Sequence, residues 1–316
     1  MAQNIVINVA KGCIMSKLLI SIVGPTGIGK TALSIKLAKH FNTEIISSDS
    51  RQFFNEMEIG TAVPSKEELA AAPHHFIQHI SIKEPYSVGQ FEKEAIAKLD
   101  ELYKSHDTVI MVGGSGLYSN AIIHGLDDFP KISEEIRDQL NAKLKTDGLE
   151  PLQFQLLALD PKSYNTIAID NPKRVIRALE VCIGSGKPYS SFLAKEKPKR
   201  IFETIQIGLN ADRKIIYDRI NRRVDIMVEN GLIEEVKSLL PYKNLNALNT
   251  VGYKELFRYF EGEGTLDFAI SEIKKNTRRF AKRQLTWYRK DESIKWFDYL
   301  DDVDDVIDYI KMKKPA

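Results

Sequence analysis

Cysteine is scarce in this 316-residue chain. Cys13 and Cys182 are the two present, far apart and outside any CxxC spacing. That excludes a disulfide framework and a cysteine-based metal cluster, and it fits a reducing, cytoplasmic setting. Long apolar runs are missing too. No run of about 18 apolar residues exists, so no membrane-spanning helix is expected. The mildly apolar stretch from Met1 to Ile14 is interrupted by Asn4, Asn8 and Lys11, which breaks the continuous centre that a signal peptide needs. Met15 opens MSKLLISIVG just before the first strong motif, so the first fourteen residues read as a dispensable extension. Neither sign of charge dominates. Lys and Arg number 45 against 43 Asp and Glu, a formal net charge of +2, so any nucleic-acid reading must come from local clusters. Internal repeats and low-complexity tracts are absent. His74, His75 and His79 sit on a Pro-flanked loop with no carboxylate at metal-ligand spacing and receive no role.

What is present is an ordinary globular composition, 43% hydrophobic and 28% charged, long enough for roughly two domains. Leu18 to Val23 is an apolar, β-branched run that predicts a buried strand. Thr31 to His40 follows with Leu33, Leu37 and Ala38 at helical spacing. Glu44 to Ser47 predicts a second strand, Phe91 to Tyr103 a helix with Ile96 and Leu99 inward, and Thr108 to Val112 a third buried strand. This alternation predicts an α/β fold, a P-loop core with a parallel sheet flanked by helices. From about Leu126 the strand signals stop for some seventy residues, giving way to polar helices broken at Asp147-Gly148, Asp160-Pro161, Asn171-Pro172 and Gly184-Ser185-Gly186. An inserted all-helical domain is expected over 126–200, between core segments 1–125 and 201–316. KEKPKR at Lys195 to Arg200 is its hinge, and Glu203 to Leu209 is a strand returning to the sheet. The remainder reads as mostly helical: Asp212 to Glu229 with Ile216, Ile220, Val224 and Met227 on one face, then Leu232 to Leu240 and Leu266 to Tyr288.

The strongest local signal is Gly24-Pro25-Thr26-Gly27-Ile28-Gly29-Lys30-Thr31, a complete G-x-x-x-x-G-K-T between a strand and a helix. Its glycines let backbone N–H groups and the helix N-terminus face an anion, Lys30 adds positive charge, and the Thr31 hydroxyl suits Mg²⁺. The loop would bind a diphosphate, and both ATP and an allylic diphosphate fit that cradle. ATPases of this class usually carry an acidic residue at the end of a buried strand, whereas Thr108 to Val112 runs into Gly113-Gly114-Ser115-Gly116.

One carboxylate does follow a strand. Asp49, in SSDSRQ from Ser47 to Gln52, lies near the carboxyl edge beside the P-loop, where it could bind magnesium, act as a general base, or remain a solvated loop residue. Thr277 to Arg289 (TRRFAKRQLTWYR) interleaves Arg279, Lys282 and Arg283 with Phe280, Trp287 and Tyr288. That pattern suits phosphate contacts and base stacking, and it equally suits a solvated helix face with core aromatics. Arg219 and Arg223, one helical turn apart, could each reach a phosphate or pair with Asp218 and Asp225.

These segments together resemble the tRNA dimethylallyltransferase family, also called tRNA isopentenyltransferase. The resemblance rests on GPTGIGKT at Gly24, SSDSRQ at Ser47, MEIGTAVPS at Met57 and GGSGLY at Gly113. It continues through DNPKRVIRALEV at Asp170, RINRRVDIMVENGLIEEV at Arg219, VGYKE at Val251 and TRRFAKRQLTWYR at Thr277. It covers nearly the whole chain.

The resemblance implies transfer of a dimethylallyl group from dimethylallyl diphosphate to the exocyclic amine of the adenosine 3′ of the tRNA anticodon. Asp49 would take the amine proton, and Arg223, with Arg219 second, would stabilise the leaving diphosphate beside Lys30 and Mg²⁺ on Thr31. Ser115 stands where the family commonly has threonine and would still place a hydroxyl near the reacting groups. Ser50, Arg51 and Gln52 match tRNA contacts, as do Lys173 and Arg174 in the helical domain and the Val251-Gly252-Tyr253-Lys254 turn. No Cys/His cluster follows, so the resemblance is to the bacterial form and no zinc is expected. The implied partners are the anticodon stem-loop of tRNA and the donor, with no membrane, and a monomer is the default. Two other readings stand beside it: a P-loop small-molecule or nucleoside kinase, and an RNA-binding regulator with a nucleotide switch.

Overall fold

The structure is a computed structural model describing residues 17–194 and 198–314. The proposed N-terminal extension, Cys13, and Lys195 to Lys197 of the expected hinge lie outside the described residues. The chain divides into two compact units, one formed by Met1–Ile123 and Arg200–Ala316, the other by His124–Lys199.

The first unit is built on a six-stranded sheet of order β3-β2-β4-β1-β5-β6, every pairing parallel. Its strands are β1 (Lys17–Val23), β2 (Ile45–Ser47), β3 (His74–His75), β4 (Thr108–Val112), β5 (Phe202–Asn210) and β6 (Lys295–Asp298). The central strands are apolar along their length because both faces are covered. On β1, Leu18, Ile20 and Ile22 point into one cluster, with Leu33, Ile35 and Leu37 from the helix Lys30–Phe41 (α1). Leu19 points into the opposite cluster, with Phe91, Ala95 and Leu99. Alternation along the strand thus builds a core on each side of the sheet.

After α1 come α2 (Lys66–Ala71), α3 (Val88–Leu102) and α4 (Gly116–His124). The second unit holds α5 (Glu134–Asp147), α6 (Glu150–Leu159), α7 (Pro161–Thr166) and α8 (Pro172–Ser185), with no strand among its described residues. Its core is Leu140, Leu152, Leu156, Val175 and Leu179, and the buried Glu180 carboxylate is held by Arg137 and Arg177. The first unit then resumes with β5, α9 (Arg213–Glu229), α10 (Leu232–Ser238), α11 (Tyr253–Phe260), α12 (Leu266–Tyr288), β6 and α13 (Val303–Lys313).

Two elements differ from the sequence expectation. His74 and His75 pair with Ile45 and Ile46 as an edge strand rather than a loop. The C-terminal stretch, expected to be mostly helical, adds a strand, β6, before the helix α13. Both edge strands are too short for periodicity to register, and pairing with a neighbour makes them strands. No described helix is long and apolar enough to cross a membrane.

One carboxylate organises the loop after β2. Glu235 on α10 accepts the backbone N–H groups of Glu58, Ile59 and Gly60 at 2.7–3.0 Å, and the Tyr253 hydroxyl at 2.6 Å. Glu235→Ala is expected to destabilise the full chain by about 2–3 kcal/mol in urea unfolding, and Glu235→Gln, which keeps one acceptor oxygen, by less. Wild-type stability of the alanine variant would contradict this role.

Candidate active site

Three loops converge at the carboxyl edge of the sheet. Residues 24–29 follow β1, Ser48 to Gln52 follow β2, and Gly113 to Ser115 follow β4. The sheet order makes β2, β4 and β1 adjacent. Ladder-like bonds extend past the strand ends, with Ser48 N–H donating to the Val112 carbonyl and Gly113 N–H to the Ile22 carbonyl.

The first loop enters α1 through Gly29, whose φ of 113° lies in the left-handed region that glycine adopts without strain. No side chain caps this helix. Its first-turn amides are therefore oriented for an external acceptor. The second and third loops are joined by hydroxyls: Ser115 Oγ accepts Ser50 N–H at 3.1 Å and lies 3.0 Å from Ser50 Oγ. Asp49 lies between them, its Oδ1 accepting Arg51 N–H at 3.1 Å.

Cations gather on the P-loop nearby. Lys30 Nζ donates to the Pro25 carbonyl at 2.9 Å, Arg219 Nε to the Gly27 carbonyl at 2.7 Å, and Arg223 Nη1 approaches Thr26 Oγ1 at 3.5 Å. The Arg219 guanidinium also lies over the Tyr299 ring. Burial pulls the Lys30 ammonium down from its ordinary range to about 8, with Asp49 opposing the shift and Arg223 adding to it. Burial likewise lowers Arg223, against the pull of Asp49 and Glu68. Lys30 and Arg223 thus share a poorly solvated space, an arrangement suited to a multivalent anion.

Two cavities meet here. A smaller one, about 460 Å³, is lined by Gly27, Gly29, Lys30, Thr31, Arg219 and Arg222. A larger one, about 700 Å³, is lined by Ser50, Ser115, Val224, Met227, Phe280 and Trp287 among others. Thr26, Asp49 and Arg223 line both. An anion-binding cradle therefore opens, past one carboxylate, onto a half-apolar chamber.

Residues 52–291 match the family model for IPP transferase. The chain belongs to this family. It is 64% identical over 299 residues to a tRNA dimethylallyltransferase of Christiangramia forsetii, covering 95% of this chain and 99% of the relative. It is 59% identical over 300 residues to that of Flavobacterium johnsoniae, covering 93% and 97%. Among solved structures, a full-length tRNA isopentenylpyrophosphate transferase from Bacillus halodurans superposes with a TM-score of 0.71 at 39% identity, covering 94% of this chain and 96% of that one. A eukaryotic dimethylallyltransferase acting on tRNA gives 0.78 at 28% identity, covering 90% and 75%.

The geometry brings together Asp49, Ser50, Ser115, Arg219, Arg223 and the P-loop, and it corrects several expectations for single residues. Tyr253 is fully buried, its hydroxyl bound to Glu235, so it braces the fold and cannot contact tRNA. Its neighbours Val251, Gly252 and Lys254 do line the larger cavity. Gln52 donates to the carbonyls of Thr61 and Ala62, bracing the loop after β2, and lines the smaller cavity. Arg51 donates from Nη1 to the carbonyls of Asn246 and Ala247 and lines the larger cavity. Within the P-loop, the Ile28 side chain is 2% exposed and packs in the core, leaving its backbone amide for a ligand, and Pro25 has no N–H to donate. Arg219 and Arg223 turn to the P-loop instead of Asp218 and Asp225.

Along α12, Arg279, Lys282 and Arg283 are exposed and border a groove with Thr286, Trp287 and Lys290. Phe280 and Trp287 are exposed while Tyr288 is core, so the two readings of this helix each hold for part of it. Lys173 and Arg174 are exposed in the first turn of α8. Sequence reading missed Gln284, which bonds to both Thr26 and Gly114; Arg222, close to Arg219 and Arg223 in sequence, lines the smaller cavity with them. The signal for Gln284 was its inward spacing with Ala281 and Tyr288 on α12.

Because Lys30 in the free site deprotonates as pH rises through about 8, anion binding above that pH must take up a proton. Affinity for an alkyl diphosphate, whose own ionisation is complete below this range, is expected to be steady to about pH 7.5 and then to fall by up to about tenfold per unit. Calorimetry in buffers of different ionisation enthalpy reads the uptake, and Lys30→Arg should abolish the slope. A pH-independent affinity in the wild type would contradict the assignment.

Proposed function

We propose that the chain transfers the dimethylallyl group of dimethylallyl diphosphate to the exocyclic amine of the adenosine 3′ of the anticodon in tRNA, releasing diphosphate. The observation that carries this reading is Asp49, the carboxylate that lines both the anion cradle and the larger chamber, in a chain 64% identical to a tRNA dimethylallyltransferase.

The chemistry follows from the groups present. The amine lone pair of adenine is delocalised into the ring, so the amine is a poor nucleophile and gains from a positioned base. The N–C bond forms as the C–O bond to the diphosphate breaks, and the amine proton passes to an Asp49 oxygen. Charge building on the departing oxygen meets Lys30, Arg223, Arg219 and the amides opening α1. Ser115, held by Ser50, fixes the loop beside Asp49. The larger chamber, with Phe280 and Trp287 at its wall, suits an adenine taken out of its stack, which costs less in a loop than in a duplex.

Mg²⁺ fits this site through its donor set. Thr31 offers one hydroxyl at the cradle, and among the described residues no group of three or more His, Cys, Asp or Glu side chains could hold a metal. Mg²⁺ keeps several waters and takes phosphate oxygens readily, so it would arrive with the donor and be held through Thr31. When bound it would supply countercharge to the leaving diphosphate. The anticodon arm would be met by the exposed cations Arg279, Lys282 and Arg283, by Ser50, Val251, Gly252 and Lys254, and by Lys173 and Arg174 of the second unit. A monomer acting in the cytoplasm completes the reading.

The test incubates the protein and Mg²⁺ with labelled dimethylallyl diphosphate and unmodified tRNA. Label is expected on the adenosine 3′ of the anticodon, and ATP turnover with no transfer would favour a kinase instead. Asp49→Ala should lower single-turnover transfer by on the order of a hundredfold or more while leaving tRNA affinity nearly intact. Equal rates in mutant and wild type would remove Asp49 from the role of base.

A further inference from the structure

Gln284 on α12 is 6% exposed, and both ends of its amide are used. Its Oε1 accepts Thr26 N–H at 2.9 Å, and its Nε2 donates to the Gly114 carbonyl at 2.9 Å. The partners fix the amide's orientation, because an N–H cannot accept and a carbonyl cannot donate. Space is fixed as well. A Cβ at Gly114 would lie 2.3 Å from Gln284 Nε2, and one at Gly116, the first residue of α4, would lie 2.2 Å from Trp287 Nε1, so glycine at both positions lets this segment lie against α12 without displacing either side chain.

The two loops so joined belong to different halves of the chemistry. Thr26 leads into the anion-binding turn, and its hydroxyl meets Arg223. Gly114 leads into Ser115, which holds Ser50 beside Asp49. Since Thr26 N–H is committed to Gln284, the anion is left with the amides from Gly27 onward. We infer that Gln284 is a positioning residue for the transfer step, setting the separation between the loop that holds the leaving group and the loop that supports the base. This rests on the function proposed above. A side chain of similar volume without the amide would fill the space but leave a buried N–H and a buried carbonyl unpaired, freeing the loops to shift. A displacement of about 1 Å between reacting groups is enough to cost a large factor in rate with little change in binding.

The experiment compares wild type, Gln284→Glu, Gln284→Met and Gly114→Ala in single turnovers with both substrates saturating, alongside separate titrations of donor analogue and tRNA. At pH 8 Gln284→Glu should slow transfer by about thirtyfold or more with both affinities within about threefold. Its rate relative to wild type should climb as pH falls, because a protonated carboxyl regains a donor toward the Gly114 carbonyl and burial raises its pKa. Gln284→Met should show the same loss with no such recovery. Gly114→Ala strikes the contact from the other loop and carries the same prediction if a Gln284 variant does not fold. Combined with Gln284→Met, it should add little. Unchanged transfer in folded variants, or a pH-independent ratio for Gln284→Glu, would overturn the inference. Absence of transfer by the wild type would overturn the function itself, and the two failures are distinguishable in one data set.

Discussion

Everything at the site depends on the strands running one way. In a sheet whose pairings are all parallel, each strand ends at the same edge, and the order β2-β4-β1 sets three strand-ending loops side by side. An antiparallel β4 would deliver Gly113 to Ser115 to the far end of the sheet, away from both Asp49 and the P-loop. The continuous apolar sequences of β1 and β4 enforce this arrangement, since burial on both faces requires helices between successive strands and crossover connections keep the strands parallel. The functional geometry is thus a consequence of core composition as much as of the loop residues themselves.

Electrostatics then divide the edge into two chambers. Lys30, Arg219 and Arg223 gather at the smaller one, where the Asp49 carboxylate opposes the shifts of Lys30 and Arg223. Partial desolvation makes such a concentration of positive charge unfavourable, and a diphosphate offsets it more completely than a monovalent anion. The larger chamber has more apolar wall, including Ile220, Val224 and Met227 of α9. One helix, α9, therefore serves both, its arginines turned to the anion and its apolar face to the chamber and core.

Much of this was legible in the sequence. The P-loop announces itself because glycine spacing and the strand-to-helix context are local, and β4 and α12 were placed with the ends that the structure shows. Asp49 could be located by its position after a strand, although only the packing of β2 against β4 brings Ser115 to its side. Edge strands β3 and β6 escaped, being defined by a neighbour rather than by pattern. Tyr253 reads as part of a polar turn until Glu235, eighteen residues earlier, is seen to receive its hydroxyl. Gln284 lay hidden inside a basic motif whose charges drew the eye to RNA, while its own partners, Thr26 and Gly114, are 258 and 170 residues away. Spacing with Ala281 and Tyr288 marks Gln284 as inward, but long-range polar pairing leaves no local trace of its partners.

The central claim is that the anion cradle and the larger chamber meet at Asp49 and that the reaction takes place at this junction. The most direct measurement is a crystal structure of the protein with Mg²⁺, a non-hydrolysable thiolodiphosphate analogue of the donor and an anticodon stem-loop. The account predicts the diphosphate on the amides from Gly27 to Thr31, the adenine in the larger chamber, and its amine within about 3.5 Å of both the allylic carbon and an Asp49 oxygen. A diphosphate bound in the larger chamber, or an adenine that leaves Asp49 without contact, would contradict it.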